Sequence, residues 1–123
     1  MKRIAEGASR IFLAYGSTDF RKQIPGLVAM VNLNFKLDLY NDDYVFIFCN
    51  RKRDAIKVLR HDRNGFVLAT KKLLDDMKFQ WPRTPGEVKE ITFQQVEWLL
   101  QGLEIEQKKA HHQVKINVKN CCF

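Results

Sequence analysis

From Tyr44 to Cys49 every residue is apolar, with Tyr44, Phe46 and Phe48 alternating with Val45, Ile47 and Cys49. These are aromatic and β-branched residues of high strand propensity. Apolar side chains on both parities predict a central strand covered on both faces. The polar stretch Asn50-Arg51-Lys52-Arg53-Asp54 then reads as a hairpin loop, and Ala55 to His61 as the returning strand. Asp62-Arg63-Asn64-Gly65 is a second turn, marked by Asn-Gly, whose residues tolerate positive φ, and Phe66 to Lys71 makes the next strand. Upstream, Arg10 to Tyr15 reads as a short strand ending at Gly16. The oxygens of Ser17, Thr18 and Asp19 offer acceptors for the orphan amides of a helix start.

Proline is tolerated only in a first helical turn, so the main helix is placed from about Pro25 to Phe35. Ile24, Leu27, Val28, Val31 and Phe35 fall at helical spacing and define its buried face. Asp38 to Asp43 is an acidic turn. Lys78 to Trp81 is a candidate short strand ended by Pro82, and Arg83 to Glu90 a connecting loop. Thr92-Phe93-Gln94-Gln95 matches a capping box, the helix Phe93 to Gln101 presents Val96, Leu99 and Leu100, and Gly102 is a natural stop. The expected architecture is α+β: an antiparallel β-meander of about four to five strands with two main helices packed against it.

The chain has 123 residues, the size of one domain. Residues 1–106 are expected to form a single α+β domain and 107–123 a basic, flexible tail, since Lys108, Lys109, Lys115 and Lys119 stand there without an acid. Val114, Ile116 and Val118 alternate within that tail, a pattern that could add a strand to a sheet edge. The six-residue apolar run at Tyr44–Cys49 falls far short of the roughly 20 residues that cross a bilayer as a helix. The first seven residues carry no apolar signal core. Three cysteines, one inside a strand, are not a disulfide framework. A cytoplasmic protein with no membrane partner is expected.

Charge brings in a partner. The formal net charge is +7, with an isoelectric point near 9.5. The densest basic segment runs from Arg51 to Arg63, where Arg51, Lys52, Arg53, Lys57, Arg60 and Arg63 face only Asp54 and Asp62. A two-stranded ribbon fits a DNA major groove, and arginine forks suit phosphates or guanine edges. Arg21, Lys22, Lys71 and Lys72 could extend the patch. The same pattern also describes a solvated hairpin whose charges keep a sheet edge from aggregating.

Catalytic and metal chemistry find little support. His111-His112 and Cys121-Cys122 are adjacent pairs, whereas zinc ligands need two to four intervening residues to converge on one ion. His61 beside Asp62 lacks an evident nucleophile. Asp19, Asp54 and Asp62 have plainer work as cap and turn residues than as a metal cluster. Phosphate-cradling glycine loops are absent from the sequence. The reading is of a protein that is not an enzyme and uses no cofactor.

Taken in order, the segments carry a resemblance. Tyr15-Gly16-Ser17-Thr18-Asp19-Phe20-Arg21-Lys22 and Gly26-Leu27 are followed by Phe46-Ile47-Phe48-Cys49-Asn50-Arg51-Lys52-Arg53-Asp54 and Lys57-Val58-Leu59. Then come Gly65-Phe66-Val67-Leu68, Lys71-Lys72-Leu73, Phe79-Gln80-Trp81-Pro82 and Leu99-Leu100-Gln101-Gly102. Over about Arg10 to Ile105 the chain resembles the TnpB accessory proteins, products of the second open reading frame, of the insertion sequence sixty-six transposon family. Asp19, Arg21, Asn50, Arg51, Asp54, Lys57, Lys71 and Lys72 are the polar members that match. Phe20 stands where the family usually has Met, Ala69-Thr70 replaces an aromatic pair, and Lys72 replaces an Arg. The resemblance implies an accessory to a separate transposase that carries the catalytic acids. Two modes of help are open: gripping DNA through the basic hairpin, or docking on the transposase without direct DNA contact.

Overall fold

The computed structural model describes residues 2–38, 40–41 and 43–107. Beyond Gln107, the expected tail with its two His and two Cys lies outside the described residues. The elements are α1 (Lys2–Ala5), β1 (Arg10–Ala14), α2 (Ile24–Met30) continuing as a π-helical turn (Val31–Phe35), β2 (Tyr44–Cys49), β3 (Ala55–Asp62), β4 (Gly65–Lys72), β5 (Val88–Ile91) and α3 (Phe93–Leu100). They form a five-stranded sheet in the order β4-β3-β2-β1-β5 with the longer helices against it, an α+β fold.

The meander is confined to β2, β3 and β4, which pair antiparallel in succession. β1 runs parallel to β2, Arg10 opposite Tyr44 and Leu13 opposite Ile47, so the chain must cross over between them, and it does so through α2. β5 pairs antiparallel with the other edge of β1. Three of its four residues, Val88 to Glu90, fall within the stretch expected to be a connecting loop. Four residues with Lys89 and Glu90 in the middle give no alternation to read, and the pairing comes from the free edge of β1.

β2 is the middle strand, as its two apolar parities require. Val45, Ile47 and Cys49 face a layer with Ile11, Leu13, Ile56, Val58, Phe79, Trp81, Val96 and Leu99. Phe46 and Phe48 face Phe12, Leu27, Val31 and Leu59 on the other side. The α2 segment buries Leu27 and Val31 and half-buries Ile24, Val28 and Phe35, the face that the spacing predicts. Its start differs from expectation: Gln23 is the N-cap and makes no side-chain cap bond, while Asp19 Oδ1 accepts from the Arg21 amide in a tighter turn upstream.

The other ends follow local chemistry closely. Thr92 Oγ1 accepts from the Gln95 amide at 3.2 Å and Gln95 Oε1 accepts from the Thr92 amide at 2.8 Å, completing the capping box. Gly102 takes φ 84° just past α3. Thr92→Ala is expected to cost about 1 kcal/mol of unfolding free energy, read from the urea midpoint at unchanged slope; an unmoved midpoint would show the cap to be idle. At the β3–β4 hairpin the two loop residues are Arg63 and Asn64, with Gly65 already opposite Asp62. The positive φ of 55° falls on Arg63, one position earlier than the Asn-Gly reading.

Candidate nucleic-acid interface

Because β1 and β2 are parallel, their carboxyl ends lie side by side and both chains leave the sheet at the same end. The Thr18 amide donates to the Cys49 carbonyl at 2.8 Å and ties the two exits together. The turn after β2 is organised by Asn50. Its Oδ1 accepts from the amides of Asp54 and Ala55, its Nδ2 donates to Asp54 Oδ1 at 2.7 Å, and its carbonyl accepts from the Arg53 amide. Arg53 is held at φ 60°, a conformation that glycine or asparagine adopts at less cost. The turn over-determines it, since the Arg53 carbonyl is also claimed by the Phe79 amide at 2.7 Å.

Residues 79–87 form an irregular strap across this end. Phe79 and Trp81 are buried while Lys78 and Gln80 are exposed, an alternation that resembles a strand in sequence. No strand forms there. The Phe79 amide serves the Arg53 turn, Pro82 has no amide hydrogen, and the edge of β1 is taken by β5. Trp81 Nε1 donates to the Ala14 carbonyl at 2.9 Å, and the Gly16 amide donates to the Pro82 carbonyl at 2.8 Å. Gly16 has φ 73°, and a Cβ there would meet Pro85 Cα at 3.0 Å, so only glycine lets the strap close over β1.

The strap thereby brings Arg83 to Arg51 and Arg53. Together with Gly16, Ser17, Asn50, Trp81 and Pro82 they line a cleft of about 300 Å³ that holds three arginines and no carboxylate. A larger cleft of about 860 Å³ adjoins it, sharing Arg53, Trp81, Pro82 and Arg83, and its lining also includes Glu104 and Glu106. Sequence reading missed Arg83, a single arginine between Pro82 and Thr84 in an apparent loop. The signal lay in Phe79-Gln80-Trp81-Pro82, two buried aromatics that anchor whatever follows them.

The other basic residues expected at the interface are dispersed. Lys52 is exposed on the same turn as Arg51. Arg21 is 91% exposed but engaged with Asp19, its Nε and Nη2 donating to both carboxylate oxygens. Lys22 is half-buried with its stem against Gly26. Lys57 donates to the Phe20 carbonyl at 3.0 Å and lies over the Phe20 ring, on the α2 face of the sheet. On the opposite face, Arg60 donates to the carbonyls of Ile4 and Glu6 and secures the end of α1. Lys72 lies 3.7 Å from Asp54, and Lys71 stands on the face opposite to it. Arg63 is at the other end of β3, about 25 Å from the Arg51 turn at roughly 3.3 Å per residue.

The acids nearby are engaged in structure. Hydrogen bonds from Arg21 lower the Asp19 pKa to about 2, so the pair is complete above the ordinary carboxylate range and is lost only as pH falls through about 2. The Asn50 amide, then the charges of Lys72 and Lys78, lower the Asp54 pKa against the opposing effect of burial. Asp62 is at the far end of β3, remote from both. Among the described residues no group of three or more His, Cys, Asp or Glu could hold a metal ion. Cys49 is buried, which pushes its thiol up to about 12. No helix of the described residues is long and apolar enough to cross a membrane.

Comparison with known proteins decides the lineage. A model of the family described as IS66 Orf2-like protein matches residues 9–110. The chain belongs to the IS66 Orf2-like family. Two relatives from Sinorhizobium fredii, both named only as uncharacterized proteins, are y4hO and y4jC. The first is 35% identical over 95 residues, 77% of this chain and 81% of the relative. The second is 30% identical over 95 residues, 77% of this chain and 80% of the relative. No solved structure matches. Membership gives this IS66 Orf2-like protein an accessory role in transposition of IS66 elements, and the matched span contains the whole sheet, the Asn50 turn and the strap.

Proposed function

We propose that this IS66 Orf2-like protein assists transposition as a non-catalytic DNA-binding factor, gripping phosphates at the carboxyl ends of β1 and β2. The observation that carries this reading is the convergence of Arg51, Arg53 and Arg83 on one cleft without a carboxylate in its lining. Guanidinium forks hold phosphate oxygens in pairs and stay charged at every physiological pH. The Asn50 turn and the Trp81 anchor position their backbones before any ligand arrives, which lowers the ordering cost of binding. Contacts of this kind position a protein on DNA without reading its sequence. Cutting and joining strands is left to the separate transposase.

The test is a salt titration on duplex DNA, with element-end and scrambled sequences side by side. Each lost phosphate contact should flatten the log–log salt slope by about 0.9. The combined variant Arg51→Gln, Arg53→Gln, Arg83→Gln is therefore expected to lose between two and three units of slope, at about 0.9 per contact. Arg63→Gln, at the other end of the sheet, should leave the slope alone. Absence of binding at low salt, or an equal slope in the triple variant, would refute the reading.

A further inference from the structure

We infer that the groove between the end of β4 and the last turn of α3 is a second docking surface, shaped for an acidic amphipathic segment of a protein partner. It has a volume of about 440 Å³, and its lining includes Lys71, Lys72 and Lys78 with Leu74 and Met77. Leu74 is 73% exposed and Met77 54% exposed, side by side in one short loop. Single exposed apolar residues are ordinary on protein surfaces, but neighbouring ones beside a cavity mark an interaction site. Leu103, next to Gly102, is exposed as well.

The loop is held in place rather than left to collapse. Its ends are tied by the Leu73 amide to the Asp54 carbonyl and by the Phe79 amide to the Arg53 carbonyl, both at 2.7 Å. The Met77 amide closes a turn on the Leu74 carbonyl. The loop backbone is thus fixed with Leu74 and Met77 exposed. Methionine adapts its unbranched side chain to varied partners.

Charge names the occupant. Lys71, Lys72 and Lys78 line the groove and no acid does. Lys72 is also paired with Asp54 at 3.7 Å, so Lys71 and Lys78 carry most of the attraction, and the loop's own Asp75 and Asp76 lie outside the lining. A nucleic acid would satisfy the lysines but leave Leu74 and Met77 against phosphate or water. A second copy of a chain with net charge +7 would bring more positive charge to a lysine rim. A protein segment that presents leucine-sized side chains on one face and carboxylates beside them satisfies both parts. This inference does not rest on the DNA reading, because the arginine cleft and the groove share no lining residue.

Nuclear magnetic resonance titration of the full chain tests it, using a synthetic amphipathic peptide with leucines at helical spacing and glutamates elsewhere. Its twin carries lysines in place of the glutamates. The acidic peptide is expected to shift the amides of residues 71–79 and 100–102 and to bind at least about ten-fold more tightly than the twin. Leu74→Ser with Met77→Ser should weaken it about ten-fold or more, and leave the salt slope of DNA binding unchanged. Their exposure means that the fold should tolerate both changes, which the undisturbed spectrum of the remaining residues would confirm. Equal binding of both peptides, no binding, or shifts centred elsewhere would overturn the proposal. So would duplex DNA shifting the same groove amides, or self-association abolished by Leu74→Ser, since each names a different occupant.

Discussion

Replacing Phe46 by alanine is expected to remove roughly 3–5 kcal/mol of stability, a large part of the 5–15 kcal/mol typical of a small domain. Phe46 lies on the middle strand, is 2% exposed, and stacks on Phe12 with ring centroids 5.1 Å apart and planes 17° from parallel. Its layer is closed by Leu27 and Val31 from above and by Leu59 from the neighbouring strand. The void cannot be filled by sliding one strand, because β2 is hydrogen-bonded on both sides. The check is urea unfolding, with a fall in midpoint at constant slope. Phe66→Ala offers the contrast, since Phe66 is only half-buried on edge strand β4 and should cost much less. Equal losses at the two positions would show that the layer is not packed as described.

The second large effect is expected at Asn50. Asn50→Ala removes one donor and one acceptor that together serve Asp54 and Ala55, leaving part-buried groups short of partners at a cost of about 1–3 kcal/mol. Asn50→Asp separates the two roles. It keeps the acceptor for the amides of Asp54 and Ala55, but it sets a carboxylate where an amide now donates to Asp54 Oδ1 at 2.7 Å. Two carboxylates at that distance cannot both stay ionised comfortably, so the pair should hold a proton to higher pH than either alone. The aspartate variant is therefore expected to regain stability as pH falls through the carboxylate range, whereas the alanine variant is not. Urea midpoints measured between pH 4 and pH 7, roughly the window in which a raised carboxyl titrates, would show it. Parallel pH profiles for the two variants would mean that the Asn50 donor does not hold the turn.

Much of this fold is legible where local chemistry and packing agree. The apolar run Tyr44–Cys49 announces the middle strand because both faces of that strand are covered, and Thr92, Gln95 and Gly102 announce the limits of α3 because capping is decided within a few residues. Distant partners are what the pattern does not contain. β5 forms through its pairing with β1, some 80 positions away in the Ile11–Ile91 pair, and its own residues carry no signal. The parallel direction of β1 is likewise set by the α2 crossover rather than by anything in Arg10–Ala14. At the candidate site, the basic run 51–63 is visible, but a run in sequence is not a surface. Lys57 and Arg60 point to opposite faces of β3 and hold Phe20 and α1, and Arg63 leaves with the far turn, whereas Arg83 joins from a strap that sequence shows only as a loop.

The long reach of β5 and the strap has a consequence for the order in which the molecule is built. β2, β3 and β4 are hairpin neighbours, so their pairing closes only short loops and can begin while the chain is still being synthesised. The arginine cleft depends on Trp81 and Arg83, and the edge of β1 is sealed only by Val88–Ile91. A nascent chain halted before the strap emerges would hold a partly formed sheet with Arg51 and Arg53 in place and no opposite wall. The cleft is thus completed only after the strap has been made, so a product terminated before it would lack the assembled cleft and, on the proposed function, would not compete for DNA.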